Sequence, residues 1–289
     1  MCAAALVLAF IAGPAFAGAP SPFVEGLLWR ISKSGIPDSY AFGTIHVADP
    51  RVAISKPVAD ALARSRTLAL ELIDSVADQR VFELEQLPDG SQLKALVGDA
   101  AFAQVSTELA AQDIPQDVIA RMKPWAAMMK IARASPRGNE PSIDHQLLQA
   151  ARARGLKIVL LELVDEQIAA FDAVPLGTQV ALLKHVLADR PALEAGVELT
   201  IRAWLRGDLA QLARLNAGSN DRFPEMSRHY QVLTRHIIRD RNVLMHHRLF
   251  MPLRAGRVFI AVGAAHLHGD KGLPALIARD GYRVTPLPQ

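Results

Sequence analysis

Short apolar runs of strand length, bounded by residues that favour turns, recur in the first and last thirds of the chain. The first two runs are separated by Ser34-Gly35-Ile36-Pro37-Asp38, a cluster of turn residues that predicts a β-hairpin. The runs that we interpret as strands are residues 26–31, 39–46, 67–73, 156–161, 257–262 and 282–286.

Helical patterns fill most of the chain between these runs. Residues 142–155 have the clearest helix boundaries, with Ser142 as the N-cap and Gly155 as the C-terminal stop. Two long blocks, at about 78–140 and 176–248, also have a helical pattern. We therefore predict an α/β fold in which a mixed central sheet is formed by the N- and C-terminal parts and carries a large helical insertion.

An apolar segment precedes the first predicted strand. It ends in Ala15-Phe16-Ala17, which matches the small-x-small rule for signal peptidase cleavage. We expect residues 1–17 to be a cleaved signal peptide and residues 18–289 to form a single periplasmic or secreted domain. The alternative is an uncleaved anchor, although spanning a bilayer takes about 20 apolar residues. The sequence contains no later segment that predicts a stable membrane span.

Composition limits the chemistry that the mature domain can perform. Lys and Arg number 32 against 29 Asp and Glu, a surplus too small to indicate a nucleic-acid partner. The only cysteine, Cys2, lies inside the predicted signal peptide, which excludes disulfides and cysteine ligands from the mature domain. Any catalytic groups must then be His, Asp, Glu, Ser, Thr or Lys.

Two Gly-x-x-His motifs each follow a predicted strand: Gly43-Thr44-Ile45-His46 and Gly263-Ala264-Ala265-His266. One such motif arises easily by chance, but two in equivalent positions are less ordinary. A glycine at a strand end lets the backbone turn sharply, so the next loop presents an imidazole at the sheet edge, where α/β proteins bind ligands. We predict that His46 and His266 face one site; for each, a surface or capping role is the alternative.

Two glutamates stand in or at the end of apolar strands. Glu71, within residues 67–73, is either a site residue or the partner of a buried arginine such as Arg241, because an unpaired buried carboxylate is costly. Glu162 follows residues 156–161 and could be a further ligand, a general base or a charge at a helix start. Arg241 itself lies in a basic helical stretch that could equally be a solvated face.

Several short motifs, taken in order, resemble the TraB/GumN family, whose animal relatives are the Tiki metalloproteases. They cover nearly the whole predicted mature chain. The matching segments are Leu28-Trp29-Arg30-Ile31, Gly43 to His46, Leu70-Glu71-Leu72, Ile143-Asp144-His145-Gln146-Leu147-Leu148, Leu161-Glu162-Leu163, Arg241-Asn242, Val262 to Leu267 and Gly281-Tyr282-Arg283-Val284.

The resemblance implies a site built from His46, Glu71 and His266. Two imidazoles and a carboxylate are a ligand set suited to a catalytic divalent ion such as Mn, Co, Fe or Zn. Such an ion activates water and polarises a carbonyl, so the implied activity is metal-dependent hydrolysis of a peptide or amide bond, with a peptide or small molecule as substrate. The resemblance also favours Arg241 pointing into the site, where it would orient a carboxylate or an oxyanion.

Some features leave alternatives open. Leu163 stands where family members commonly have threonine, which weakens any hydroxyl role at that position. His268 is an alternative ligand two residues beyond His266. Two other functions also remain: a metal-free esterase in which a motif histidine is the general base, and a binding or regulatory protein without turnover.

Overall fold

A mixed sheet of six strands lies at the centre of the computed structural model, which describes residues 23–73, 78–132, 141–188, 190–216 and 224–288. Each predicted strand is present, and the predicted α/β class is confirmed. The predicted signal peptide lies outside the described residues. The strands are β1 (Leu28–Lys33), β2 (Ile36–Thr44), β3 (Thr67–Leu70), β4 (Lys157–Leu160), β5 (Val258–Gly263) and β6 (Arg283–Leu287).

The order of strands across the sheet is β4-β3-β5-β2-β1-β6. The first four of these run parallel to one another, whereas β1 is antiparallel to both β2 and β6. Every residue of β5 is buried, as expected for a parallel strand with neighbours on both sides. The carboxyl ends of β2, β3, β4 and β5 consequently meet at one edge of the sheet.

The hairpin between β1 and β2 is tighter than predicted. The turn consists of Ser34 and Gly35 alone, and Gly35 takes φ +76°, a value suited to a two-residue hairpin loop. The predicted turn residues 36–38 instead begin β2, where Ile36 packs against the sheet core. Pro37 is tolerated there because the pairing register shifts between Ile31 and Lys33.

Helices surround this sheet and account for most of the described residues in the two blocks that were predicted to be helical. A π-helical turn, Arg235–Asp240, leads into the last long helix, and a 3₁₀ turn, Ala264–His266, follows β5. The α-helices are α1 (Lys56–Ala63), α2 (Asp78–Leu84), α3 (Leu93–Val97), α4 (Asp99–Ala110), α5 (Gln116–Arg121), α6 (Pro124–Ala132), α7 (Ile143–Ala153), α8 (Val164–Asp172), α9 (Leu176–Ala188), α10 (Arg190–Leu205), α11 (Leu209–Asn216), α12 (Met226–Thr234), α13 (Arg241–Ala255) and α14 (Leu273–Arg279).

Buried apolar residues form two clusters. One packs on the sheet and includes Phe42 and Phe259, whose ring centroids lie 6.3 Å apart. The other lies among the helices of the insertion and includes Trp125, which stacks on Phe171 of α8 at 4.9 Å. The helical insertion therefore has an apolar core of its own, and the assignment of residues 18–289 to one domain stays a prediction.

The helices α5 and α6 are separated by Met122 and Lys123, and α6 begins at Pro124. The break at Met122 and Lys123 has a local cause, because the residue before Pro124 is disfavoured in the α conformation. Met122 is extended and forms an isolated β-bridge with Gln86. In the part of the chain that the structure describes, no helix combines the length and apolar character needed to cross a bilayer.

Candidate active site

The two motif histidines lie at the ends of neighbouring parallel strands. In the register of β2 and β5, Thr44 pairs with Gly263, so the two strands end at the same level of the sheet. His266 is 2% exposed at the end of the 3₁₀ turn, and the His46 side chain is 12% exposed. The sheet thus brings together His46 and His266, whose positions in the sequence are 220 residues apart.

The two motif glycines allow neighbouring side chains to lie close to the backbone. The prediction that these glycines permit a sharp turn is wrong. Gly263 has φ −51° and ψ 135°, a conformation open to any residue. A Cβ on Gly263 would lie 3.4 Å from Glu71 Oε1 and 3.7 Å from both His46 Nε2 and His266 Cδ2. A Cβ on Gly43 would come within 2.9 Å of Leu267 Cδ1. Gly263 therefore leaves space between three candidate ligands.

Glu71 lies directly after β3, because the strand ends at Leu70 instead of continuing to residue 73. Its Oε1 accepts the Gly263 N–H at 2.6 Å and lies 3.8 Å from His266 Nε2. Its Oε2 accepts a 2.7 Å hydrogen bond from Arg241 Nη2. Burial raises the pKa of Glu71, but the charge that His266 gains when it is protonated in acid, together with the charges of Arg241 and His46, outweighs burial and lowers the pKa to about 2.

Arg241 and Glu162 form a buried ion pair behind Glu71. The Arg241 Nε and Nη2 atoms donate to the two Glu162 oxygens at 2.8 and 2.5 Å, and Nη1 donates to the Ile237 carbonyl at 2.9 Å. Glu162 is 0% exposed and Arg241 is 7% exposed, so the solvated-face interpretation of Arg241 is wrong. Together with the bond to Glu71, these contacts use four of the five guanidinium N–H groups.

A π-helical turn places Arg241 at this point. The turn Arg235–Asp240 ends where α13 begins, and the Arg241 backbone N–H bonds the Ile238 carbonyl. The Ile237 carbonyl is instead available to the Arg241 side chain. Single π turns inside α-helices are rare and occur often at functional sites. Residue periodicity does not reveal such a turn, which is why the sequence analysis missed it.

Asn242 sets the orientation of His266. Its Nδ2 donates to the backbone carbonyls of Lys271 and His266 at 2.8 and 3.3 Å, so its Oδ1 must be the acceptor that lies 2.7 Å from His266 Nδ1. His266 therefore has its proton on Nδ1 and a lone pair on Nε2, facing Glu71. Burial lowers the pKa of His266 to about 4, which keeps the imidazole neutral.

Asp144 has the corresponding position behind His46. Its Oδ2 lies 3.0 Å from His46 Nδ1, and its Oδ1 accepts a 2.7 Å hydrogen bond from the Thr44 hydroxyl. The Asp144 Oδ2 and His46 Nδ1 atoms lie at ion-pair distance but are not aligned as a hydrogen bond. Burial lowers the pKa of His46, but the charges of Asp144 and Glu71 outweigh it and raise the pKa to about 9. Asp144 lies in a family motif but had no predicted role; the signal in the sequence was its place in the first turn of α7.

The side chains of this site are of the types that bind a divalent ion, but they are not arranged as a formed metal site. Among the described residues, no group of three or more His, Cys, Asp or Glu side chains has the arrangement of a metal site. The imidazole Nε2 atoms of His46 and His266 and the Glu71 carboxylate are nevertheless the donor types that such ions take. The ligand set His46, Glu71 and His266 therefore stays a prediction.

The site opens into a cavity bounded by the sheet edge and the helical layer. His46, Arg241, Gly263 and His266 line one wall of this cavity. His268, the alternative ligand, is not among its described lining residues. Burial and the charge of Arg214 lower the pKa of His268.

Fold and site together define an α/β protein in which two histidines, two glutamates and an arginine are grouped at the carboxyl edge of four parallel strands. The chain belongs to the TraB/PrgY/gumN family, whose model matches residues 27–286. The resemblance found in the sequence is thereby confirmed.

A comparison with curated proteins finds similarity to Metalloprotease TIKI2 of Danio rerio. The two sequences are 24% identical over 318 aligned positions, which cover 92% of this chain and 61% of the relative. The chain therefore spans less than two thirds of the length of that relative. No solved structure matches this chain.

Proposed function

We propose that this protein is an exported hydrolase that cleaves a peptide or amide bond, with water activated at a divalent ion held by His46, Glu71 and His266. The single observation that supports the proposal best is the orientation of the two imidazoles. Asp144 and Asn242 each lie against an Nδ1 atom, which turns both Nε2 atoms toward the space beside Glu71. His46, whose pKa is raised to about 9, would release its Nε2 proton when an ion binds. A histidine that binds a metal through one nitrogen typically donates the other N–H to such a partner.

The charges around the site also favour a cation. The contacting side chains include the carboxylates of Glu71, Glu162 and Asp144 against two cations, the Arg241 guanidinium and the His46 imidazole, so one negative charge remains in excess. This excess of negative charge attracts a positive ion to the space beside Gly263. When bound, a divalent ion supplies Lewis-acid polarisation of a carbonyl and a water of lowered pKa.

The protein side chains have distinct roles in this proposal. Glu162 holds Arg241 through both of its oxygens and is fully buried, which suits a positioning role better than that of a general base. Arg241 retains one N–H on Nη1 that can donate to an oxygen on which negative charge develops. Asp144 and Asn242 hold the two imidazoles in place.

The proposal is tested by measuring bound metal and hydrolysis together. The protein is purified without chelator, its Mn, Co, Fe and Zn content is determined, and a library of peptides and small amides is screened with Mn or Co. His46→Ala should lose both metal and turnover. His247→Ala, a change at an exposed histidine of α13, is the matched control and should retain both. Equal metal content and turnover in the His46→Ala protein would refute the proposal.

A second candidate is metal-free ester hydrolysis with His266 as general base. It is favoured by the hydrogen bonds that Glu71 already makes to Arg241 and to the Gly263 N–H, which hold this carboxylate without an ion. His266 Nε2, with its free lone pair, is the atom that would accept the proton. Chelator separates the two candidates, because ester hydrolysis of this type would continue in its presence.

A further inference from the structure

The cavity next to the two histidines has a wall that the proposed chemistry does not use. Buried or half-buried apolar side chains form this wall, and they come from the sheet edge, α8, α11 and the π turn. They are Ile45, Phe171, Leu212, Ile237, Ile238 and Ala264.

The polar groups on the cavity are mostly uncharged. Thr200, Thr234 and Asn216 are among them. Within the described lining, no Asp, Glu or Lys is present, and the ionisable side chains are those of Arg241 and the two motif histidines. A cationic substrate group placed there would lose its water without gaining a carboxylate partner among these lining residues, which is costly. An anionic group gains little, because Arg241 is already paired with Glu71 and Glu162, and His46 with Asp144.

The size of the cavity limits its occupant further. It encloses about 60 Å³. An engineered apolar cavity that binds benzene has a volume of about 150 Å³, more than twice this space. A group with the bulk of an isopropyl fits the smaller space, whereas a benzyl group requires the wall to move.

We propose that this cavity binds a small uncharged aliphatic side chain or acyl group next to the bond that is hydrolysed. The assignment rests on the proposed hydrolase function, since the neighbouring wall is formed by His46, His266 and Arg241. Among the wall residues, Ile238 is the best position at which to test specificity, because its side chain lines the cavity and is only partly buried.

The test measures binding, so it does not depend on turnover. The protein as purified is titrated with isobutyramide, phenylacetamide and succinamate, and affinities are read from NMR chemical shifts. Isobutyramide should bind best, with each of the other two at least about tenfold weaker, in line with how strongly closed pockets discriminate by size and charge.

Two isoleucine variants locate the effect. Ile238→Ala should enlarge the cavity and improve phenylacetamide binding relative to isobutyramide by about tenfold. Ile114→Ala is the matched control, because Ile114 is also partly buried against the helical core but does not line the cavity. The preference should be unchanged in this control.

Equal affinities for isobutyramide and succinamate, or absence of isobutyramide binding, would overturn the inference. So would an identical change of preference in Ile238→Ala and Ile114→Ala. If the preference is found but no amide is hydrolysed with any divalent ion, the subsite stands and the proposed hydrolase function fails. If amides are hydrolysed but no acyl group is preferred, the proposed hydrolase function stands and the subsite fails.

Discussion

Asp144 lies directly behind His46, with its Oδ2 atom 3.0 Å from the imidazole Nδ1. Its other oxygen accepts the Thr44 hydroxyl at 2.7 Å, so the carboxylate is itself held in place. This arrangement orients a histidine whose Nε2 faces the site.

Asp144→Asn should lower the affinity for Co or Mn by roughly 10- to 100-fold, the usual effect of removing a partner of a metal-binding histidine. Affinity is measured by calorimetric titration of the metal-free protein. Asp60→Asn, a change at an exposed aspartate of α1, should leave the affinity unchanged. Unaltered affinity in Asp144→Asn would show that Asp144 does not position a metal-binding His46.

Gly263→Ala should impair the site without harming the fold. The added methyl lies 3.4 Å or more from its nearest neighbours and Gly263 has an ordinary backbone conformation, so thermal stability should be unchanged or slightly higher. The same methyl occupies the space between Glu71, His46 and His266, so metal uptake should fall. Gly177→Ala, where nothing lies within 4 Å, is the control for both measurements. Full metal uptake by Gly263→Ala would contradict the proposed ligand set.

Gly43→Ala should instead destabilise the fold. Its methyl would lie 2.9 Å from Leu267 Cδ1 and 3.1 Å from Ala264 Cα, which forces the strand end and the 3₁₀ turn apart. Overpacking of this kind costs about 1–3 kcal/mol in the free energy of unfolding, which urea denaturation measures. A stability equal to that of the unmodified protein would mean that the two motifs are not packed this closely.

Arg241→Leu should be among the most destabilising single changes in the site. It leaves Glu71 and Glu162 buried without their cation, and removing one partner of a buried ion pair costs about 3–5 kcal/mol. Arg80→Leu breaks an exposed pair with Asp165 and should cost less than about 1 kcal/mol. Urea denaturation compares the two variants; similar losses would refute the buried network.

Glu166 should contribute stability that depends on pH. The hydrogen bond from Arg248 lowers the pKa of Glu166 in the folded protein below its ordinary value of 4.5. Its contribution is therefore present above pH 4.5 and is lost as the pH falls through the lower folded pKa. At neutral pH, Glu166→Gln should reduce the free energy of unfolding by up to about 1 kcal/mol.

The difference between Glu166→Gln and the unmodified protein should close in acid, because a protonated glutamate resembles glutamine. Urea denaturation between neutral and acidic pH follows it. Glu25→Gln, a change at an exposed glutamate, is the control. A gap that is independent of pH would contradict the Arg248 interaction.

The strands were predictable because each one is a local pattern. Runs of apolar residues and nearby turn residues give β1 to β6 within a few positions. The errors occurred where a longer-range contact decides the boundary: β3 ends at Leu70, where the next residue turns to meet Arg241 and Gly263.

The partners of the histidines were not predictable from local pattern. Asp144 is 100 residues from Thr44, and Asn242 is 24 residues from His266. No periodicity relates residues at such separations, and a buried polar side chain gives the same local signal whether it supports a helix end or a catalytic imidazole. The family resemblance placed both residues in matching motifs but assigned neither a partner.

The sequence by itself determined the α/β class, the six strands and the two motifs that follow β2 and β5. It therefore also determined the edge of the sheet at which His46 and His266 lie, because parallel strands bring their carboxyl ends together. Only the tertiary structure decided which nitrogens the two imidazoles present, and that Arg241 is buried between two glutamates. Those properties depend on hydrogen bonds between distant segments, whose geometry is set by how the helices pack on the sheet.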